Sequence, residues 1–163
     1  MKVIAKRRRL ENRTDYLNRR RLLEGGKPRV VVRKTNKYII LQYVESREAQ
    51  DNVIATVVSN KLLNHGWPAD KAGSLKSLAA AYLTGILFAK TVKNHKDAIL
   101  DIGLLRNTKG SRIYAALKGM VDGGMKIKHD AKIFPDEKRI KSENTKAFFD
   151  SVKLKVEGGK LFC

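Results

Sequence analysis

The sequence has almost no cysteine. Its only Cys is Cys163, the last of 163 residues, so we expect no internal disulfide and a reducing cytosol. Long apolar runs are also missing, because no stretch reaches the roughly 18–20 apolar residues that span a bilayer. Residues 1–10 are too charged for the apolar part of a signal peptide. We therefore expect a cytoplasmic protein without a membrane partner.

Motifs of enzymes are equally scarce. The three histidines are scattered without the spacing of a metal site, and a lone cysteine cannot build a Cys-rich zinc site. The sequence contains no phosphate-binding loop, no glycine-rich dinucleotide fingerprint and no nucleophile elbow. Asp97 and Asp101 flank a short apolar run, and we expect them to pair with local cations. The sequence therefore predicts no catalytic residue, metal, cofactor or small-molecule substrate.

Acidic residues are few, since 16 Asp and Glu face 35 Lys and Arg, giving a net charge of +19. Such a charge repels itself and usually has an anionic partner, most often nucleic acid. It is uneven: the net charge is +11 over residues 1–37, +1 over 38–102 and +7 over 103–163. We therefore predict a basic N-terminal arm at 1–12, a globular domain at 13–125 and a basic C-terminal extension with a terminal helix at 126–163.

The apolar pattern predicts an α/β fold. Three closely spaced segments rich in Val, Ile and Tyr predict an antiparallel meander, at 29–34, 38–45 and 52–59. Helices are expected at 15–24, 74–93, 112–122 and 145–154. Thr14 and Ser111 would cap the first and third of these helices. A buried strand at 97–105, after the long helix, would add in parallel, and Gly85 would allow a close helix–sheet contact. The expected architecture is a layered mixed sheet with packed helices.

Arginine dominates the arm and the first predicted helix, at Arg7, Arg8, Arg9, Arg13, Arg19, Arg20 and Arg21. A guanidinium forks onto phosphate oxygens and stacks on bases, and each phosphate contact releases counterions. A solvated charged tail is the alternative. We favour nucleic acid, because a nearly neutral middle is joined to basic ends.

Two further segments combine cations with hydrogen-bonding groups. The hairpin turn carries Arg33, Lys34, Asn36 and Lys37, with Tyr38 beside them. Cations for phosphate, an aromatic ring for stacking and an amide for base edges suit splayed RNA, although a soluble turn is the alternative. At the start of a predicted helix, residues 109–112 could bind an anion. From spacing alone, a plain serine cap explains that segment equally well.

Several strings then occur in order between residues 6 and 144. They are RTDY at 13–16, RRLL at 20–23, GKPRVVVRKTNK at 26–37, HGW at 65–67, AYLTG at 81–85, LDIGL at 100–104 and KGSRIYAALKG at 109–119. Together they resemble the archaeal large-subunit ribosomal protein L eighteen family, whose eukaryotic relative is ribosomal protein L five. From residue 145 onward the resemblance fades, so no residue roles are carried over there.

This resemblance implies a structural protein of the large ribosomal subunit. It would bind 5S rRNA and help anchor it to 23S rRNA in the central protuberance, beside neighbouring large-subunit proteins. It also implies a ribonuclease H-like motif without catalytic acids. The residues expected to face RNA are Arg7, Arg8, Arg9, Arg13, Tyr16, Arg20, Arg21, Arg29, Arg33, Lys34, Asn36, Lys37, Lys109, Ser111 and Arg112. Two alternatives stay open: a nuclease or RNA-modifying enzyme, which needs clustered carboxylates for metal, and a DNA-coating architectural protein.

Overall fold

A computed structural model describes residues 6–48, 50–92 and 97–158. The first five residues of the predicted arm, His95 and residues 159–163 of the predicted extension lie outside them. The helices are α1 (Arg7–Leu10), α2 (Tyr16–Glu24), α3 (Leu78–Thr91), α4 (Arg112–Asp122), α5 (Glu137–Ile140) and α6 (Glu143–Gly158). The strands are β1 (Arg29–Lys34), β2 (Ile39–Arg47), β3 (Gln50–Val58) and β4 (Ile99–Asp101). Short 3-10 helices cover Ser59–His65, Ala69–Ser74 and Ala131–Ile133.

The four strands form one mixed sheet in the order β3-β2-β1-β4. Strands β1, β2 and β3 pair antiparallel, as the predicted meander requires, and Lys34 opposite Ile39 begins the first hairpin. Strand β4 pairs with β1 in parallel, with Val30 opposite Leu100. The predicted parallel addition is therefore confirmed, although β4 is much shorter than the predicted segment 97–105. The mixed α/β class is confirmed with it.

Helix α3 forms the centre of the core, because every residue from 79 to 89 is buried. It crosses α4 at very short range. A Cβ atom added to Gly85 would lie 2.2 Å from the carbonyl oxygen of Ala116, and one added to Gly119 would lie 2.0 Å from that of Tyr82. The expected contact of Gly85 with the sheet is thus wrong. Because Gly85 and Gly119 have no side chains, the backbones of α3 and α4 can approach each other directly.

The C-terminal segment packs on this core. Phe148, Phe149, Val152 and Val156 of α6 belong to the same hydrophobic cluster as the sheet and α3. The ring of Phe148 meets that of Trp67 edge-on at 4.8 Å between centroids. The predicted extension therefore completes the fold of residues 13–125, although its boundary at residue 125 stays a prediction.

Three of the four predicted helices start at other residues than predicted, and one of them is α6, which begins at residue 143 and not 145. Asp15, and not Thr14, caps α2 with its carboxylate, since Oδ1 accepts the N–H of Leu17 at 3.0 Å. Helix α3 begins four residues later than predicted, because a 3-10 helix occupies 69–74 and Ser77 provides the cap. Helix α4 has the predicted bounds, and α6 is longer than predicted.

Candidate nucleic-acid interface

Arg29, which the resemblance places against RNA, is buried. Its side chain is 3% exposed and lies between two carboxylates. Nη1 donates to Oδ2 of Asp101 at 3.1 Å, and Nη2 donates to Oδ1 of Asp51 at 2.6 Å. A buried guanidinium is tolerated only when carboxylates pair with it, as they do here. In the free chain Arg29 therefore holds Asp51 and Asp101 in place, and the expected contact of its nearly buried side chain with RNA stays a prediction.

Asp101 holds a second arginine at the surface. Nη2 of Arg33 donates to Oδ1 of Asp101 at 3.3 Å, and Nη1 donates to its backbone oxygen at 3.0 Å. The Asp101 side chain is 8% exposed, whereas that of Arg33 is 40% exposed. The expectation that Asp101 pairs with local cations is confirmed, and Asp97 likewise lies 3.9 Å from the Lys27 ammonium. Arg33 is therefore fixed in one orientation before any ligand binds.

Asp51 extends this network to α2. Oδ1 accepts a hydrogen bond from the Ser46 hydroxyl at 2.7 Å, and Oδ2 accepts one from Nη2 of Arg19 at 3.0 Å. Burial alone would raise the pKa of the Asp51 carboxyl, but its hydrogen bonds to these partners and to Arg29 outweigh it and lower the pKa below its usual value. Asp51 therefore stays ionised and ties the N-terminal helix to the sheet.

A groove of about 340 Å³ runs between the segment 8–22 and the loop after β4. We call it the arginine groove, because it is lined by Arg8, Arg13, Arg19 and Arg33. Nε of Arg8 donates to Oγ1 of Thr14 at 2.9 Å, which holds α1 near the start of α2. The lining also contains Asp15 and Asp101, so four cations outnumber two carboxylates there, and it includes the apolar side chain of Leu104, which is 57% exposed. This chemistry suits a polyanion that also offers base or sugar surface.

The hairpin tip, residues 34–37, presents its side chains outward. Thr35 closes the turn, because its Oγ1 accepts the N–H of Tyr38 at 2.8 Å and donates to the carbonyl oxygen of Tyr38 at 2.9 Å. Lys34, Asn36 and Lys37 are exposed and form no ion pair or side-chain hydrogen bond within the described residues. Tyr38, which we expected to stack on a base, is half-buried against the core.

A cavity of about 560 Å³ lies at the N-terminal end of α4. This α4 cavity is lined by Lys34, Ser77, Leu78, Leu105, Arg106, Thr108, Gly110, Ser111, Arg112, Ile113, Arg139 and Ser142. Ser111 occupies the predicted cap position, but its side chain makes no capping hydrogen bond. Its Oγ is buried and has no partner among the described residues. Lys109, a predicted contact, is exposed beside the cavity and is not part of its lining.

Groove and cavity meet at the hairpin. Arg33 lines the groove and Lys34 lines the cavity, as expected for successive strand residues that face opposite sides. Leu105 lines both. We call the arginine groove, the hairpin tip and the α4 cavity together the basic band. The fold thus joins three candidate sites that are far apart along the chain.

The other candidates lie outside the groove and the cavity. Exposed on α1 and α2 are Arg7, Arg9, Arg20 and Arg21. Arg20 forms an exposed ion pair with Glu24 at 2.7 Å. The ammonium of Lys6 lies 4.6 Å from the ring centroid of Tyr16, so a cation already covers one face of that ring.

Sequence reasoning missed two cations of the α4 cavity. Arg106 precedes the predicted segment 109–112 in the same loop, so the basic loop itself was a usable signal. Arg139 lies in α5, and no local pattern could connect it with a helix that starts at residue 112.

Within the described ranges, no three His, Cys, Asp or Glu side chains lie close enough to hold a metal ion. Among the helices of the same ranges, none combines the length and the apolar character needed to cross a membrane.

Comparison with known proteins identifies the family. The model of ribosomal large subunit proteins 60S L5 and 50S L18 matches residues 2–98 and 91–130. Large ribosomal subunit protein uL18 of Korarchaeum cryptofilum is 49% identical over 154 residues, which cover 93% of this chain and 76% of that protein. The uL18 proteins of Methanoregula boonei and Methanococcoides burtonii are 44% and 39% identical, covering 90% and 94% of this chain and 83% and 92% of those proteins. The chain therefore belongs to the family of ribosomal large subunit proteins 60S L5 and 50S L18, whose members are structural proteins of the ribosome and not enzymes.

Proposed function

We propose that this protein is a structural constituent of the large ribosomal subunit that binds 5S rRNA and helps anchor it to 23S rRNA in the central protuberance. The observation that carries the proposal is the continuity of the basic band, in which Arg33 and Lys34 join the groove to the cavity. A continuous surface of this kind can follow a folded RNA backbone over several phosphates. Family membership supplies the ribosomal context.

The protein would act as a rigid scaffold that recognises RNA by shape and backbone. Arg33 is held by Asp101 and would meet RNA with little loss of side-chain freedom. At the hairpin tip, Lys34, Asn36 and Lys37 would be free to contact RNA, because they are exposed and have no partners among the described residues, whereas Thr35 holds the turn. The predicted arm and the exposed arginines of α1 and α2 would add contacts at the entrance of the groove. Neighbouring large-subunit proteins would be the remaining partners, within cytoplasmic ribosomes.

The resemblance to a ribonuclease H-like motif is part of this proposal. The strand order β3-β2-β1-β4, with antiparallel pairing up to β1 and a parallel β4, supports it. A nuclease on such a fold would need carboxylates gathered around a metal. Asp101, an acidic residue at the end of β4, is instead paired with two arginines. The scaffold function is therefore favoured over cleavage.

Gel-shift titration with 5S rRNA, using tRNA as competitor, tests the proposal. We expect the wild-type chain to prefer 5S rRNA. The charge reversal Lys34→Glu with Lys37→Glu should weaken binding roughly tenfold or more, since it replaces two phosphate contacts with repulsion. Both side chains are exposed, so the fold should be unaffected.

The matched control is Lys61→Glu with Lys128→Glu. It changes the net charge equally, and both lysines are exposed outside the basic band. We expect it to weaken binding by no more than a general loss of charge. Equal affinity for 5S rRNA and tRNA would reject the specific function. Equal weakening by the two double variants would reject the hairpin tip as a contact.

A further inference from the structure

Four cations converge on the α4 cavity, and its lining contains no carboxylate. They are Lys34, Arg106, Arg112 and Arg139. They come from the end of β1, the loop after β4, the first turn of α4 and α5. None of the four forms an ion pair within the described residues. Cations gathered in one cavity repel each other, so the site carries an uncompensated positive potential.

Three helix ends strengthen that potential. Ser77 caps α3, Ser111 occupies the cap position of α4 and Ser142 directly precedes α6, and all three line the cavity. The N-terminal end of a helix presents free N–H groups and a partial positive charge. Oγ of Ser77 is used locally, because it accepts the N–H of Ala80 at 3.2 Å. The buried Oγ of Ser111 has no such partner among the described residues.

A glycine places Arg139 over the start of α4. Gly110 has a φ of +66°, and a Cβ added there would lie 2.6 Å from Nη1 of Arg139. The Gly110 N–H also donates to the carbonyl oxygen of Ile133 at 2.9 Å. The loop before α4 is thus tied to the C-terminal segment that carries the arginine. The guanidinium of Arg139 therefore lies close to the positive N-terminal end of α4 and to the other cations of the cavity, which repel it. A bound anion would remove this repulsion.

We propose that the α4 cavity binds a backbone phosphate of ribosomal RNA, with Arg112 and Arg139 as its principal charged contacts. The proposal rests on the proposed function and deepens it, because it gives the C-terminal segment a contact of its own. RNA fits better than an isolated anion, since the cavity is open and shares Lys34 with the hairpin tip. One strand could therefore place successive phosphates in both places.

The test compares Arg139→Gln with Lys128→Gln in the full chain. Each variant removes one exposed cation from the C-terminal segment, but Lys128 lies outside the basic band. Binding to 5S rRNA and to 23S rRNA is measured separately over a range of salt concentrations. With at least one RNA, Arg139→Gln should reduce the slope of log binding constant against log salt concentration by about 0.7–0.9, which is the value for one lost phosphate contact. The same variant should weaken binding to that RNA severalfold. Lys128→Gln should leave the salt dependence unchanged and should weaken binding by no more than a general loss of charge.

A second variant, Gly110→Ala, displaces the guanidinium without changing the charge, and it also strains the backbone, because Gly110 has a φ of +66°. It should also weaken RNA binding, and a thermal melt checks that the fold is kept. An unchanged salt dependence of folded Arg139→Gln with both RNAs would overturn the cavity site, while leaving the result at Lys34 and Lys37 and the proposed function intact. Arg139→Gln could instead change the salt dependence with 23S rRNA alone, while the wild-type chain binds 5S rRNA and tRNA equally. That result would support the cavity site and reject the proposed binding of 5S rRNA.

A separate titration tests inorganic phosphate alone. The amide NMR signals of residues 110–113 report its binding, and chloride at equal ionic strength is the control. RNA should shift these signals at concentrations where phosphate does not. Saturation by free phosphate without any response to RNA would assign the cavity to a small anion and overturn the proposal.

Discussion

The arginine groove and the α4 cavity are both basic, but they hold their cations in different ways. In the groove, Arg19 and Arg33 are bonded to Asp51 and Asp101, which also pair with the buried Arg29. In the cavity, the arginines face helix N-termini and hydroxyl groups without a carboxylate in the lining. The paired arginines stabilise the fold and are oriented by it. The unpaired ones oppose the fold slightly, and their charge is left for a partner.

The largest expected effect comes from removing the carboxylate that serves two arginines. Asp101→Asn leaves the guanidinium of Arg29, which is 3% exposed, with Asp51 as its remaining carboxylate and Ser46 as a neutral partner. Breaking a buried ion pair by removing one member costs about 3–5 kcal/mol, and the lower end is expected because one partner remains. Urea denaturation at neutral pH measures the free energy of unfolding.

Asp97→Asn is the control for this variant, because its pair with Lys27 is exposed and long at 3.9 Å. An exposed pair of this kind contributes about 0–1 kcal/mol. Similar losses in the two aspartate variants would show that the groove network is no more important for folding than a surface ion pair.

A smaller effect is expected from Asp51→Asn, and it should depend on pH. The pKa of Asp51 is lowered in the folded chain, so its stabilisation is complete above the unfolded-state pKa of about 4. It is lost as the pH falls through the lower folded-state value. At pH 7 the variant should lose about 1.5 kcal/mol, the lower end for hydrogen bonds to a charged group, because the Asp51 side chain is 32% exposed. Unfolding measured between pH 7 and pH 3 should show the difference shrinking toward the acid end, and a constant difference would contradict this explanation.

The smallest effect should have the opposite sign. Arg112 lies in the first turn of α4, where no acidic residue balances the helix dipole. Replacing it by Gln should raise the free energy of unfolding by about 0.3–1 kcal/mol at low salt, while RNA binding weakens. Arg20→Gln, in an exposed pair with Glu24, serves as the reference. A lower free energy of unfolding for Arg112→Gln would show that this cavity arginine stabilises the fold. It would then contradict the contrast drawn above between the arginines of the groove and those of the cavity.

Much of the fold follows from local pattern. Alternating β-branched residues and short connections predict β1, β2 and β3, and apolar periodicity predicts α4 with its observed bounds. Local pattern fails where neighbouring groups compete. Asp15 takes the cap position next to Thr14, and the 3-10 helix at 69–74 delays α3. The role of Gly85 depends on α4, which begins 27 residues further along the chain, so only the folded structure reveals it.

The candidate site was predictable in its charge but not in its arrangement. The exposure expected at Lys34, Asn36 and Lys37 follows from a polar turn between two strands. The burial of Arg29 could not be foreseen, because its partners are 22 and 72 residues away. Arg139 lies in the α4 cavity because the C-terminal segment packs against the rest of the fold. No periodic pattern in the sequence indicates that packing.

The close crossing at Gly85 and Gly119 has a consequence for hydrogen exchange. Amides of α3 are buried from residue 79 to 89 and should exchange only through global opening of the molecule. Helix α4 shares that contact and should exchange nearly as slowly. Helix α2 has no buried residue, so its amides should exchange by local opening. The wall of the basic band that contains α2 can therefore open locally, on the microsecond-to-second timescale of local unfolding, while the wall formed by α3 and α4 keeps its geometry for as long as the molecule stays folded.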